Sequence, residues 1–206
     1  MTLEGRRLLL IVSGGIAAYK ALELIRLLTK AGCTVKTVLT KSGAQFVTPL
    51  SLQALSGAEV YTELFSLTQE SEMGHIELSR AADLVVVAPA SANIIAKMAA
   101  GIADDLATTL LLATDKRVLA APAMNVRMWQ HEATTANLAT LAARASLSLA
   151  NTCRCKYFAA ARPRFPDPLP AGGGSGGGGR NACRSRQRGL IFVPLLQTWA
   201  IFSPVG

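Results

Sequence analysis

Short apolar runs alternate with segments of helical spacing along the first two thirds of the chain. Three runs rich in branched residues stand out and a fourth is weaker: Leu8 to Val12, Leu84 to Ala88, Val118 to Ala121 and, more weakly, Val35 to Leu39. Continuous apolar character without polar alternation is typical of strands that are covered on both faces. The pattern therefore predicts buried parallel strands.

Apolar residues at helical spacing lie between these runs. They form three groups: Tyr19, Leu22, Ile25 and Leu28; Ile94, Met98 and Ile102; and Leu138 with Leu141. Strands that alternate with helices pair in parallel and carry the helices on their faces. The predicted fold is an α/β, Rossmann-like parallel sheet sandwiched by helices.

Turn-forming residues follow each predicted strand. They are Ser13-Gly14-Gly15, Thr40-Lys41-Ser42-Gly43, Pro89-Ala90-Ser91-Ala92-Asn93 and Pro122-Ala123-Met124-Asn125. The carboxyl ends of parallel strands share one edge, and open α/β sheets bind their ligands at that edge. We expect a ligand site there.

The pattern breaks after Arg144. Residues 145–206 contain Arg and Pro residues, a glycine run from Gly172 to Gly179 interrupted by Ser175, and no strand-helix unit. Such glycine-rich sequence behaves as flexible linker. We therefore predict a domain over 1–144 and an atypical, irregular or disordered tail over 145–206. A frameshifted C-terminus explains the change at least as well as a second domain does, and resequencing the coding DNA would decide between them.

The formal net charge of +8 suggests a nucleic-acid partner until the charges are placed along the chain. Residues 1–144 hold 13 Lys and Arg against 12 Asp and Glu, a net +1, whereas residues 145–206 hold 8 against 1, a net +7. The tail's arginines are not regularly interleaved with stacking aromatic residues. We predict no nucleic-acid partner.

The four cysteines are few and irregularly spaced, which favours a reducing compartment. Cys153 and Cys155 are too close together for a zinc knuckle, so no metal is predicted. The run from Leu8 to Val12 is shorter than a signal-peptide core, and residues 190–202 are too short to span a bilayer. We expect a cytoplasmic protein without a membrane partner.

The turn after the first predicted strand is a candidate phosphate site. Backbone N–H groups from Ser13 to Ala18 and the following helix dipole suit an anion, and Ser13 adds a hydroxyl, although a plain tight turn is the alternative. The dinucleotide fingerprint is missing. Thr40, Lys41 and Ser42 stand where that fingerprint would place an acid, and they suit a monophosphate better.

Other candidates each have a structural alternative. His75, beside Gly74, is a possible acid–base group or a structural histidine. Ser91 and Asn93 are possible ligands or helix caps. Asn125 with Met128 and Trp129 could recognise a polar group and a ring, or the latter two could be core residues. Adjacent Asp104 and Asp105 point apart on a helix, so we interpret them as a helix start or solvated charges.

Five ordered blocks resemble one family. They are Ser13-Gly-Gly-Ile-Ala-Ala-Tyr-Lys20, Phe46-Val-Thr-Pro-Leu50, Gly74-His-Ile-Glu77, Ala88-Pro-Ala-Ser-Ala-Asn93 and Ala121-Pro-Ala-Met-Asn-Val-Arg-Met-Trp129. Over nearly all of residues 5–144 the chain resembles the flavoprotein family of homo-oligomeric cysteine decarboxylases. The resemblance implies a homo-oligomer, a trimer or higher, that acts on a small molecule.

The resemblance also implies site residues. The residues it assigns to FMN are Gly14, Gly15, Ile16, Thr40, Lys41, Ser42, Ser91, Ala92, Asn93, Ile94 and Ala123. His75 corresponds to the family's active-site histidine, and Asn125 to the asparagine that binds the substrate carboxylate.

The activity implied is a carboxy-lyase reaction, the FMN-dependent decarboxylation of 4′-phosphopantothenoylcysteine toward 4′-phosphopantetheine in coenzyme A biosynthesis, with flavin as the electron sink. The family's proton-donating Ala-Cys-Gly-Asp-like loop is not found, because Cys153 and Cys155 lack the flanking Gly and acid. Two alternatives stay open: a flavin-binding protein without turnover, and a peptidyl-cysteine decarboxylase that stops at the enethiol.

Overall fold

The structure, a computed structural model, describes residues 3–62, 77–144 and 147–149. Its strands are β1 (Arg7–Val12), β2 (Thr34–Leu39), β3 (Val60–Tyr61), β4 (Leu84–Ala90), β5 (Val118–Pro122) and β6 (Leu147–Leu149). They pair in parallel in the order β3-β2-β1-β4-β5-β6. The four predicted strands and the parallel sheet are confirmed.

The helices cover both faces of this sheet. They are α1 (Tyr19–Lys30), α2 (Pro49–Ser56), α3 (described over 77–81), α4 (Ala92–Ala100), α5 (Leu106–Ala113), α6 (Val126–Gln130) and α7 (Glu132–Ala143). Short 3-10 turns, Ile16–Ala18 and Gly43–Gln45, follow β1 and β2. Of the described helices, none is long and apolar enough to cross a membrane.

Alternate residues of the central strands point to opposite faces of the sheet and pack in two separate hydrophobic cores. Leu8, Leu10 and Val12 of β1 pack on the face covered by α1 and α2. Leu9 and Ile11 pack on the opposite face, under α3, α4, α5 and α7. Both faces of β1 are therefore buried, which explains its unbroken apolar sequence. The predicted three-layer sandwich is confirmed.

The helix α4 ends earlier than its apolar spacing predicts. Gly101 adopts a left-handed conformation, with φ of 73°, and its N–H bonds to the carbonyl of Lys97. This is the usual glycine stop of a helix. Ile102, predicted to continue the apolar face, therefore lies outside the helix and is about half exposed.

Asp105 has the helix-start role expected for it, but the two carboxylates do not point apart, because both lie within 4 Å of the Lys97 ammonium just before α5. Asp105 caps α5 by accepting a hydrogen bond from the Thr108 N–H at 2.7 Å, and the Thr108 hydroxyl accepts one from the Asp105 N–H. Asp104 pairs with the Lys97 ammonium at 2.7 Å. That hydrogen bond lowers the pKa of Asp104 and raises the pKa of Lys97. The two carboxylates thus join the end of α4 to the start of α5.

The sheet continues past the predicted domain end at Arg144. Residues 147–149 form β6 and pair with Val118, Leu119 and Ala120 of β5. The remainder of the predicted tail, 150–206, lies outside the described residues.

Candidate active site at the carboxyl edge of the sheet

The strand order reverses direction between β1 and β4. From β1 the chain moves outward through β2 to β3, and then returns to place β4 on the other side of β1. Such a switch point leaves a crevice at the carboxyl ends of the two strands, because their following connections run to opposite faces. Ser13 follows β1 at this crevice, and Ser91 follows β4.

Ser13 bridges the crevice. Its hydroxyl donates a hydrogen bond to the Pro89 carbonyl at 2.6 Å and accepts one from the Ser91 N–H at 3.0 Å. The residue is only 2% exposed. A hydroxyl carries one hydrogen, so in this arrangement Ser13 has none left to donate to a phosphate. Its hydroxyl joins two turns instead.

Thr40 fixes the turn after β2 in a similar way. Both its N–H and its hydroxyl donate to the Val12 carbonyl, at 3.1 and 3.2 Å, and the hydroxyl accepts from the Gly43 N–H at 3.1 Å. A Cβ on Gly43 would lie 2.7 Å from the Val12 carbonyl oxygen. The turn after β2 therefore packs directly against the end of β1, and glycine is required for that approach.

The turn after β5 is joined to the same edge. The Ala123 N–H donates to the Ala90 carbonyl at 3.0 Å, which ties this turn to the end of β4. Four turns, the ones predicted from the sequence, are thus linked in a row by hydrogen bonds at the carboxyl ends of neighbouring strands.

Unpaired donors lie along this row. Within the part of the chain that the structure describes, the N–H groups of Gly14, Gly15, Ile16, Ala92 and Asn93 make no hydrogen bond. The last two are the first amides of α4, where the helix dipole is positive. Backbone amides near a helix start are a suitable cradle for a phosphate.

The side chains beside these amides are mostly polar. Lys41 and Ser42 are exposed on the turn after β2, and Lys41 supplies a cation. Ser91 caps α4 by accepting a hydrogen bond from the Ile94 N–H at 3.4 Å, so the capping alternative holds for this hydroxyl. Ile94 itself is buried in the core.

Asn125 is held with its amide nitrogen free. It caps α6 through Oδ1, which accepts from the Met128 N–H at 2.9 Å. Among the described residues, its Nδ2 group has no partner, and the residue is exposed. An asparagine with free Nδ2 hydrogens can donate a hydrogen bond to a carboxylate.

Trp129 and Met128 differ in their surroundings. Trp129 packs against the core on the α4 side, together with Met124. For Trp129, the alternative that it is a core residue is therefore confirmed. Met128 is 44% exposed, beside Asn125 on α6. His75, the predicted acid–base residue, lies in 63–76, outside the described residues.

Sequence reasoning missed the link between Ser13 and the turn after β4. The two partners are 76 and 78 positions away, so no local pattern shows the contact. The available signal was a serine directly after a fully buried strand, a position where an unpaired hydroxyl is costly.

An open parallel α/β sheet, with unpaired backbone amides along the crevice at its switch point, defines the class of the protein as a Rossmann-like fold. The family model described as Flavoprotein matches residues 1–162. The chain belongs to the Flavoprotein family.

One relative and two solved structures show how similar this chain is to known proteins. The Coenzyme A biosynthesis bifunctional protein CoaBC of Vibrio parahaemolyticus is 52% identical over 143 residues, which are 69% of this chain and 36% of that protein. The chain thus spans about a third of the length of such relatives.

Two solved structures share the fold. A PPC decarboxylase variant complexed with pantothenoylaminoethenethiol is 36% identical, with a TM-score of 0.61, and the match covers 71% of this chain and 81% of that one. The FMN binding protein AtHal3 is also 36% identical, with a TM-score of 0.61, over 71% of this chain and 80% of that one.

Proposed function

We propose that this chain binds FMN at the carboxyl edge of its sheet and catalyses the decarboxylation of 4′-phosphopantothenoylcysteine toward 4′-phosphopantetheine. The observation that carries the proposal is the Ser13 bridge, which brings the free amides of Gly14 to Ile16 next to the start of α4. The similarity to CoaBC, to PPC decarboxylase and to an FMN binding protein supports it.

The described residues fit a flavin monophosphate better than a dinucleotide. Unpaired amides at Gly14, Gly15, Ile16, Ala92 and Asn93 would hold the phosphate, with Lys41 and Ser42 beside them. No acidic residue ends β2, where a dinucleotide ribose would need one. Thr40, Ser91, Ile94 and Ala123 complete the set expected near the cofactor.

Two side chains of the protein then have separate roles toward the substrate. Asn125 donates from Nδ2 to the substrate carboxylate and keeps it in place while Oδ1 stays bonded to the helix. His75 moves a proton at the cysteinyl group, a role for which imidazole titrates in the right range. FMN, when bound, supplies the electron sink that makes loss of carbon dioxide possible.

We further propose that the protein works as a cytoplasmic homo-oligomer, a trimer or higher. Exposed apolar side chains beside the site, among them Ile16, Tyr19 and Phe46, support an association surface. The molar mass in solution tests this part separately from the chemistry.

A flavin-binding protein without turnover is the second candidate, favoured by the missing Ala-Cys-Gly-Asp-like sequence. The test is to incubate FMN-loaded protein with 4′-phosphopantothenoylcysteine and measure carbon dioxide and product mass. Release of carbon dioxide supports the proposal, and its absence from a flavin-loaded protein supports the second candidate. A product two hydrogens lighter than 4′-phosphopantetheine would indicate the enethiol-forming chemistry of peptidyl-cysteine decarboxylases.

A further inference from the structure

Ser13 lies at the centre of the site but contacts only protein. Its hydroxyl hydrogen bonds to the Pro89 carbonyl, and its oxygen accepts from the Ser91 N–H. The remaining lone pair of that oxygen can accept a hydrogen bond but cannot donate one, whereas a phosphate oxygen needs a donor. The chemistry of this side chain therefore does not fit a phosphate ligand.

The partners of Ser13 sit immediately before the free amides of α4. Ser91 is the N-cap of that helix, so holding its N–H holds the first turn, where Ala92 and Asn93 have unpaired amides. Gly14, the next residue after Ser13, begins the other group of free amides. One buried hydroxyl thus fixes both groups relative to each other.

We propose that Ser13 is a positioning residue that holds the amides of the β1 and β4 turns in one array before the flavin arrives. This inference rests on the proposed function for the identity of the ligand. Preorganised donors cost less to order on binding, so the bridge raises the fraction of protein that is ready to bind. A ligand role would instead act only after the flavin has bound.

The chain offers a matched control for loss of a serine hydroxyl. Ser56, at the far end of α2, donates to the Ala58 carbonyl at 3.2 Å and to the Gln53 carbonyl at 3.5 Å, and accepts from the Ala58 N–H at 3.3 Å. Its hydroxyl makes the same two kinds of hydrogen bond as Ser13, but away from the carboxyl edge. Ser56→Ala should leave flavin binding unchanged.

The first measurement is amide hydrogen exchange in the whole 206-residue chain without flavin. In the wild type the Ser91 N–H should exchange more slowly than those of Ala92 and Asn93, which have no partner among the described residues. In Ser13→Ala the Ser91 N–H should exchange about tenfold faster, the factor that one or two lost hydrogen bonds produce. Because the wild-type comparison needs no variant, it holds even if Ser13→Ala folds poorly.

The second measurement is the rate of FMN association, followed by quenching of flavin fluorescence. Ser13→Ala should slow association by roughly tenfold, because fewer molecules are competent to bind. Slower FMN binding with unchanged Ser91 exchange would mean that Ser13 acts as a ligand, and faster exchange with unchanged binding would mean that the bridge is only structural. Either result overturns the inference. If the wild type binds no FMN, the proposed function fails, whereas the exchange data still report on the bridge.

Discussion

Gly14 packs so closely against Ser42 that a Cβ atom on Gly14 would lie 2.5 Å from the Cβ of Ser42. The turns after β1 and β2 therefore meet through a contact that only glycine allows at this position. The carbonyl carbon and oxygen of Ser42 would lie 3.1 and 3.2 Å from the same Cβ position, so the backbone is also near. This contact places two of the candidate phosphate-binding turns side by side.

Gly14→Ala should lower both the stability of the protein and its affinity for FMN. Overpacking of this kind costs about 1–3 kcal/mol, and here one of the two turns must move. Ser42→Gly removes the nearest atom, so the same substitution should cost less in that background. Thermal unfolding of the four proteins of this double-mutant cycle gives the coupling. An equal cost in both backgrounds would contradict the contact.

Substitutions of Asn125 should distinguish its helix-capping role, through Oδ1, from its proposed substrate-binding role, through Nδ2. Asn125→Asp keeps an oxygen to cap α6 but replaces the Nδ2 donor with negative charge, which repels a carboxylate. We expect unchanged thermal stability and a loss in kcat/KM of roughly ten- to a hundredfold, as for a hydrogen bond to a charged group. Asn125→Ala should lose stability as well. Normal kcat/KM in the Asp variant would refute the substrate role.

His75→Asn should leave FMN bound and abolish the release of carbon dioxide. The reason is that asparagine keeps polarity and similar size but cannot exchange a proton near neutral pH. His131→Asn is the control, because His131 caps α7 through Nδ1 and asparagine is itself a good cap. Carbon dioxide release that survives in His75→Asn would show that the assignment is wrong.

Asp83 should give the fold a measurable dependence on acid pH. Hydrogen bonds from the Arg7 N–H and then from its guanidinium lower the pKa of Asp83 below the ordinary 3.8. A lowered carboxyl pKa stabilises the fold above the unfolded value, and this stability is lost as the pH falls through the folded pKa. The advantage of the wild type over Asp83→Asn should thus be constant at neutral pH and shrink below 3.8.

Urea unfolding over a range of pH measures this advantage. Asp115→Asn serves as the control, because Asp115 is highly exposed and pairs only with the adjacent Lys116 in the described structure. An advantage over Asp83→Asn that stays the same in acid would rule out the ion pair as its source.

The central sheet could be predicted because its strands are buried on both faces. Leu8 to Val12 must be apolar throughout, since alternate residues enter different cores. The edge strands escaped prediction, because Val60–Tyr61 and Leu147–Leu149 are too short to show a pattern. The apolar spacing wrongly predicted that the helix extends to Ile102, since Gly101 ends α4 one residue before it.

The site was predictable in location more than in detail. The four turns follow directly from the strand ends, so their place at one edge needed only the fold. Only the tertiary structure shows which hydroxyls are free to bind a ligand. The hydroxyls of Ser13 and Thr40 are not, because they donate their hydrogens to the carbonyls of Pro89 and Val12. The roles proposed for His75 and Asn125 come from the family resemblance and stay predictions.

Retention of flavin tests the account most directly. The purified 206-residue chain is mixed with excess FMN and passed through a gel-filtration column, and its visible absorbance and protein concentration are then measured. The account predicts a yellow protein that carries about one FMN per chain, as the amide array at a single switch point implies. A colourless protein that fails to bind added FMN would contradict it.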